Sequence, residues 1–154
     1  MNAREISSIK IAIGADHRGF AHKEAIKKSL CVNNLSIEWL DVGTYSSDRC
    51  DYPVYASRVA ELVSTGVAGR GIVMCGSGIG MAIVANRYHG VYAAQVWNLE
   101  VARFAAEHDN ANILSIPSDF VSVQESLLMI SVWLQVKFLG GRYQKRLDLI
   151  DQIE

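Results

Sequence analysis

Cysteine is scarce in this chain, and the three present, Cys31, Cys50 and Cys75, show no Cys-x-x-Cys spacing. An odd number so placed excludes a disulfide framework and a thiolate zinc site. An excess of charge is lacking too: 15 Lys and Arg against 16 Asp and Glu leave a net charge of -1. That balance gives no broad electrostatic reason for nucleic acid or an anionic membrane as partner. No apolar run reaches the roughly 18 residues of a membrane span. Met1 to Ser8 carries no hydrophobic signal region, so a cytoplasmic protein is expected. His17, His22, His89 and His108 have no paired helical spacing and no carboxylate cluster beside them, which argues against a bound metal. Gly76, Gly78 and Gly80 miss the Gly-x-Gly-x-x-Gly spacing, and no Lys-Ser or Lys-Thr pair follows, so neither a dinucleotide site nor a P-loop is expected.

What is present is the composition of an ordinary globular protein, 154 residues with 50% hydrophobic and 20% charged. One domain over residues 1–154 is expected, with residues 1–8 as a flexible lead. Short β-branched runs alternate with amphipathic, helix-length segments. Ile9–Gly14, Ser36–Val42, Gly71–Cys75, Val91–Val96 and Asn112–Ile116 read as strands. Helices are predicted over about Gly19–Cys31, after Asp51 with Pro53 in the first turn and Gly66 past the end, over Met81–Arg87, and over Leu99–Glu107 behind an Asn98 cap. Ser122 with Glu125 forms a capping box for a long apolar helix to about Leu139, where Gly140-Gly141 stops it, and a basic segment from Arg142 to Glu154 follows. Trp39, Trp133, Val132, Val136 and the Met129-Ile130 pair read as core or subunit surface, and the hydrophobic length of the Ser122–Leu139 helix predicts a subunit interface.

Strands separated by helices imply an α/β fold with a five-stranded parallel sheet covered on both faces. Ligands of such sheets bind at the carboxyl ends of the strands. That singles out Asp16 and His17, the stretch Gly43 to Tyr52, Cys75 to Gly80, and Trp97-Asn98. His108, Asp109 and Asn110 precede the fifth strand and join the group only through a loop or a neighbouring subunit. In Cys75-Gly76-Ser77-Gly78-Ile79-Gly80, glycines let successive N–H groups point into one concavity and hold an anion beside a thiol and a hydroxyl. The same run also reads as a tight strand-to-helix turn with a structural Cys. Tyr45 reads equally as a pocket wall or a packed loop aromatic. By themselves His108 is a helix-end cap and Arg142 with Arg146, four apart on one helical face, a solvated basic tail.

Several motifs carry a resemblance. Gly14-Ala15-Asp16-His17-Arg18-Gly19-Phe20, Asp41-Val42-Gly43-Thr44-Tyr45-Ser46 with Asp51-Tyr52-Pro53, Cys75 to Gly80 with Ala85-Asn86, and Gly140-Gly141-Arg142-Tyr143-Gln144-Lys145-Arg146 are similar to type B ribose-5-phosphate isomerase, in order and at the family's spacing. The resemblance runs from about Lys10 to Glu154. It implies a Rossmann-like three-layer sandwich with a C-terminal helical extension, a homodimer whose sites are finished by the partner subunit, and pairing of dimers into tetramers left open. It also implies interconversion of ribose 5-phosphate and ribulose 5-phosphate in the pentose phosphate pathway, with no metal or organic cofactor.

The same resemblance assigns roles. Cys75 is the base and Asp16 with His108 the pair that opens the sugar ring; independently, the chemistry of an enediolate lets Ser77 shuttle a proton between O1 and O2. His17, Arg142 and Arg146 surround the phosphate, while Gly76, Gly78, Ile79 and Gly80 supply backbone donors. Tyr45, Asp109 and Asn110 complete the substrate-binding set. Backbone donors near Cys75 favour its thiolate and an apolar pocket opposes it.

Two departures from the family pattern stand out. Members usually read His-Asn-Asp before the fifth strand, where this chain has His108-Asp109-Asn110, so an amide that can donate becomes a carboxylate that only accepts. Members commonly carry an arginine after the fifth strand in a Gly-x-Arg setting, where this chain has Pro117-Ser118-Asp119. Asp119 is therefore expected to point away from a bound phosphate, capping the next helix or pairing with a basic side chain. The departures also leave room for a six-carbon substrate such as galactose 6-phosphate or allose 6-phosphate, or for a non-catalytic sugar-phosphate-binding subunit.

Overall fold

The computed structural model describes residues 7–153. Alternation on the strands sends side chains to two faces. On β1 (Ser7–Ala15) Ile11 and Ile13 face one layer and Ala12 the other, and further along the chain Ile72 and Met74 oppose Val73 and Cys75 in the same way. Helix α1 (Phe20–Ser29) leads to β2 (Leu35–Asp41), α2 (Tyr52–Ser64) to β3 (Arg70–Cys75), α3 (Ile79–Ala85) to β4 (Ala93–Gln95), and α4 (Leu99–Glu107) to β5 (Ile113–Pro117). All ladders are parallel, in the order β2-β1-β3-β5-β4. Helices α1, α4 and α5 (Val123–Gln135) cover one face through Ile26, Ala102, Ala106, Met129, Ile130 and Trp133. The other face meets α2 and α3 through Val59, Ala60, Met81 and Ala85. This is the expected Rossmann-like three-layer sandwich, with α6 (Arg142–Ile150) as the C-terminal extension, held by its buried Leu147.

Local chemistry accounts for most element ends. Asn98 Oδ1 accepts from Val101 N–H at 2.8 Å and starts α4 where the sequence predicts. The Ser122–Glu125 capping box at α5 is complete, with Glu125 N–H to Ser122 Oγ at 3.1 Å and Ser122 N–H to Glu125 Oε2 at 2.7 Å. Replacing Ser122 with Ala is expected to lower stability by about 1 kcal/mol, read as a lower urea midpoint at unchanged slope. An unchanged midpoint would show that the cap contributes nothing.

Several expectations are corrected. Of the flexible lead over residues 1–8, residues 1–6 lie outside the described residues, while Ser7 and Ser8 open β1. Asp51 stands at the start of α2, yet its side chain makes no capping hydrogen bond. Helix α5 ends at Gln135 and not near Leu139: Val136 is extended, and Leu139 N–H reaches Glu107 O at 3.0 Å, drawing the chain to the end of α4. Met129, Ile130 and Trp133 of α5 enter the core, where Trp133 Nε1–H donates to Ala111 O at 2.7 Å, while Leu128 stays exposed. Strand β4 is three residues long and shorter than predicted; at its start Asn86 Oδ1 accepts from Ala93 N–H and, just before it, Asn112 Oδ1 accepts from Tyr92 N–H.

Candidate active site

The sheet order puts β3 between β1 and β5, so the carboxyl ends of the three central strands lie side by side. Ser118 ties them: its hydroxyl donates to Cys75 O at 2.8 Å and stands 3.2 Å from Arg18 O. A cleft of about 610 Å³ opens there, lined by Asp16, Arg18, Tyr52, Cys75 to Ser77, Ile79, Gly80, Ile83, Asp119 and Phe120.

Asp16 is buried at the end of β1, and its Oδ1 accepts from Arg18 N–H at 2.9 Å and Gly19 N–H at 3.1 Å. Two backbone donors on one oxygen fix the carboxylate and leave the second oxygen for a ligand. Cys75, 6% exposed, ends β3, and its Sγ accepts from Gly78 N–H at 3.1 Å. Gly78 itself has φ +73°, a left-handed turn where a side chain would be strained, and Ser115 Oγ–H holds its carbonyl at 2.6 Å. Ser77 Oγ accepts from Ile79 N–H at 3.3 Å. A Cβ on Gly80 would lie 2.5 Å from the Tyr52 ring, so that ring closes the cleft only over glycine. A thiol, a hydroxyl and a carboxylate thus line one cleft beside the loop from Gly76 to Gly80. The arrangement suits moving a proton between carbon and oxygen while donors hold charge on oxygen.

The other predicted residues lie elsewhere. His17 turns to the Cys50 backbone, with Nδ1 3.2 Å from both Cys50 N and Cys50 O, and does not line the cleft. Tyr45 does not line this cleft: it is 70% exposed, its hydroxyl donates to Asp41 O at 2.9 Å, and its ring lies 5.4 Å from the Lys23 ammonium. The pull comes from the buried Lys23, which bonds both Asp41 oxygens at 2.6 and 2.8 Å. Burial of Asp41 opposes its charge, but bonds from Lys23, Lys27 and Gly43 N–H win and hold it below the usual carboxylate range.

His108 follows α4, which runs back from the carboxyl end of β4, so it sits at the amino end of the sheet. Cys75 pairs with Pro117 at the far end of β5, about 13 Å away by strand rise alone. The His108 ring is stacked between Phe104 at 4.7 Å and Tyr143 at 4.4 Å, and the guanidinium groups of Arg142 and Arg146 lie 4.9 and 5.5 Å from the Tyr143 ring. Asp109 lines a separate pocket with Asn86, Tyr92 and Leu147, and Asn110 takes φ +46° in the turn before β5. The chain therefore places two clusters of the predicted site residues at opposite ends of its sheet.

Sequence reasoning missed Arg18 and Phe120 as cleft walls and Tyr143 as the platform joining His108 to the two arginines, while Tyr52 lies at the end of the Gly43 to Tyr52 stretch it singled out. Asp119 pairs with a basic side chain as expected, that of Arg18, but it lines the cleft and does not turn away; Ser122 caps the next helix instead. Ile79, Ile83 and Phe120 at the cleft, and Trp97 in the pocket adjoining it, are all exposed.

The family model described as Ribose/Galactose Isomerase matches residues 11–150. The chain belongs to that family. Ribose-5-phosphate isomerase B of Escherichia coli K12 is 38% identical over 145 residues, 94% of this chain and 96% of that protein. The ribose 5-phosphate isomerase of Thermotoga maritima has a crystal structure that superposes with a TM-score of 0.88 at 39% identity, covering 94% of this chain and 99% of that one. Ribose-5-phosphate isomerase B of Mycoplasma genitalium, solved with bound ribulose-5-phosphate, gives a TM-score of 0.86 at 36% identity with 95% of each chain covered. The matched span, residues 11–150, includes both the cleft residues and the His108, Arg142 and Arg146 cluster. Among the described residues no helix is long and apolar enough to cross a membrane.

Proposed function

We propose that this chain is an isomerase interconverting ribose 5-phosphate and ribulose 5-phosphate through an enediolate, in the cytoplasm and without a metal or organic cofactor. The observation that carries the reading is the convergence of Cys75, Ser77 and Asp16 on one cleft in a chain of this family. Cys75, as thiolate, takes the C2 proton, and Gly78 N–H steadies the sulfur. Charge then moves to the substrate oxygens, where N–H groups of the loop from Gly76 to Gly80 meet it. The Ser77 hydroxyl carries a proton between O1 and O2, and Cys75 returns its proton at C1.

Ring opening needs a second acid-base partner for Asp16, and His108 of the same chain is at the wrong end of the sheet. The site is completed by a second copy, which brings His108, Arg142 and Arg146 to the cleft. Charge complementarity supports this: the cleft holds two carboxylates beside one cation, and the opposite half-site is cationic. The exposed apolar rim around the cleft supplies surface for the same contact. Residues 1–154 act as one domain in this reading.

Purified protein is expected to turn over ribose 5-phosphate faster than galactose 6-phosphate or allose 6-phosphate, and to keep its activity after dialysis against EDTA. No turnover of ribose 5-phosphate would overturn the reading, and loss of activity on chelation, restored by a metal, would overturn its cofactor clause.

A further inference from the structure

Arg18 stands in the turn after β1 with its main chain fixed from two sides, by Asp16 at its N–H and by the nearby Ser118 hydroxyl at its carbonyl. Its side chain crosses the loop after β3. A Cβ on Gly76 would lie 2.7 Å from Arg18 Nε and 2.7 Å from Asp119 Oδ2, so the ion pair between these side chains rests directly on the peptide that follows Cys75. The Arg18 side chain is 59% exposed and that of Asp119 33%. Ion pairs so open to water contribute little to stability, and structural need does not account for this one. Its place does. Among the residues lining the cleft, Arg18 is the one cation, beside the carboxylates of Asp16 and Asp119. A phosphate monoester entering the cleft meets two like charges and a single opposite one within the chain.

We propose that Arg18 is a substrate-phosphate ligand of this cleft and that Asp119 is its positioning residue. The guanidinium carries five N–H donors in a planar fork. Asp119 takes hydrogen bonding at Nη2 and holds the plane over Gly76, and the remaining donors face the phosphate, the forked geometry that suits such an anion. The proposal rests on the reading of a sugar-phosphate substrate. It carries a signature that a structural ion pair lacks. Arg18→Ala removes the cation and also uncovers the Asp119 carboxylate, two losses of the same sign. Removing both side chains takes the repulsion away again, so the double variant is better than the single one. Asp16 is undisturbed throughout, because its bond from residue 18 is to the backbone.

The test measures KM and kcat for ribose 5-phosphate, and binding of inorganic phosphate by calorimetry, for the wild type, Arg18→Ala and Arg18→Ala/Asp119→Ala. Arg18→Ala is expected to raise KM and the phosphate Kd by about tenfold or more, with a smaller effect on kcat, and the double variant to regain part of both. Should Arg18→Ala not fold, Arg18→Gln, which can still donate to Asp119, replaces it with the same expectation. KM and phosphate Kd within about twofold of wild type, or a double variant no better than the single, would overturn the proposal. A wild type that turns over no ribose 5-phosphate counts against the isomerase reading alone. The calorimetric comparison then still decides Arg18: weakened phosphate binding supports it, and unchanged binding overturns it.

Discussion

Cys75→Ala is expected to lower kcat about a hundredfold or more, the usual scale for a positioned base, while KM changes little. The sulfur ends β3, opens on the cleft and receives Gly78 N–H at 3.1 Å. In the proposed reaction it takes the proton from the substrate carbon, so its contribution belongs to the transition state and is nearly absent from ground-state binding. Loss of such an interaction lowers kcat and kcat/KM together. The side chain is small and its wall includes the cleft itself, so truncation leaves no large closed cavity in the core. Cys75→Ser keeps the size but replaces the thiolate with a hydroxyl, a far weaker base at neutral pH, and is expected to be nearly as slow. Exchange of the substrate C2 proton with solvent, followed by NMR, should fall in parallel with turnover. A Cys75→Ala enzyme within a few-fold of wild type in kcat would remove Cys75 from the chemistry and leave Asp16 as the group to test.

Elements whose ends are set by near neighbours were legible in the chain. Asn98 and the Ser122–Glu125 pair start their helices with their own side chains, and nothing distant competes. The end of α5 was not legible, since Val136, Lys137, Phe138 and Leu139 include no helix breaker; the hydrogen bond from Leu139 N–H to Glu107 O comes from a residue distant in the chain. The same distinction runs through the site. The loop from Cys75 to Gly80 is contiguous, and its chemistry can be read from spacing. Arg18 and Asp119 are 101 residues apart and meet only because β3 lies between β1 and β5. No local pattern states a strand order, so an aspartate predicted to turn away from the site instead lines it. His108 and Tyr143 join through the extended link and the two positive-φ glycines, Gly140 and Gly141, that turn the chain into α6. That His108 precedes the fifth strand, away from the carboxyl-end group, was legible in the chain, but its stacking on Tyr143 beside Arg142 and Arg146 needed the three-dimensional arrangement.

That placement leads to the second large effect, restoration of activity by mixing two disabled proteins. Arg142 is exposed, bonded to the Tyr143 hydroxyl at 2.9 Å, so Arg142→Ala threatens the fold little. A charge-assisted contact to phosphate is worth roughly 1.5–3 kcal/mol, so its loss is expected to lower kcat/KM about tenfold to a hundredfold, mostly through KM. Cys75→Ala disables the other half-site. If each site joins Cys75 of one copy to Arg142 of the other, a mixed dimer has one site lacking both groups and one site with both intact. Random reassortment by mild denaturant and dilution makes half the dimers mixed, so about a quarter of wild-type activity should return under two-fold symmetry, measured at substrate below KM. A site contained within one chain has no such route, because every chain in the mixture carries a lesion. Subunit exchange is verified independently by native mass spectrometry of differently tagged chains. Complete exchange with no gain in activity over the two separate variants would overturn the shared site and require Arg142 to act within its own subunit, across the length of the sheet that separates it from Cys75.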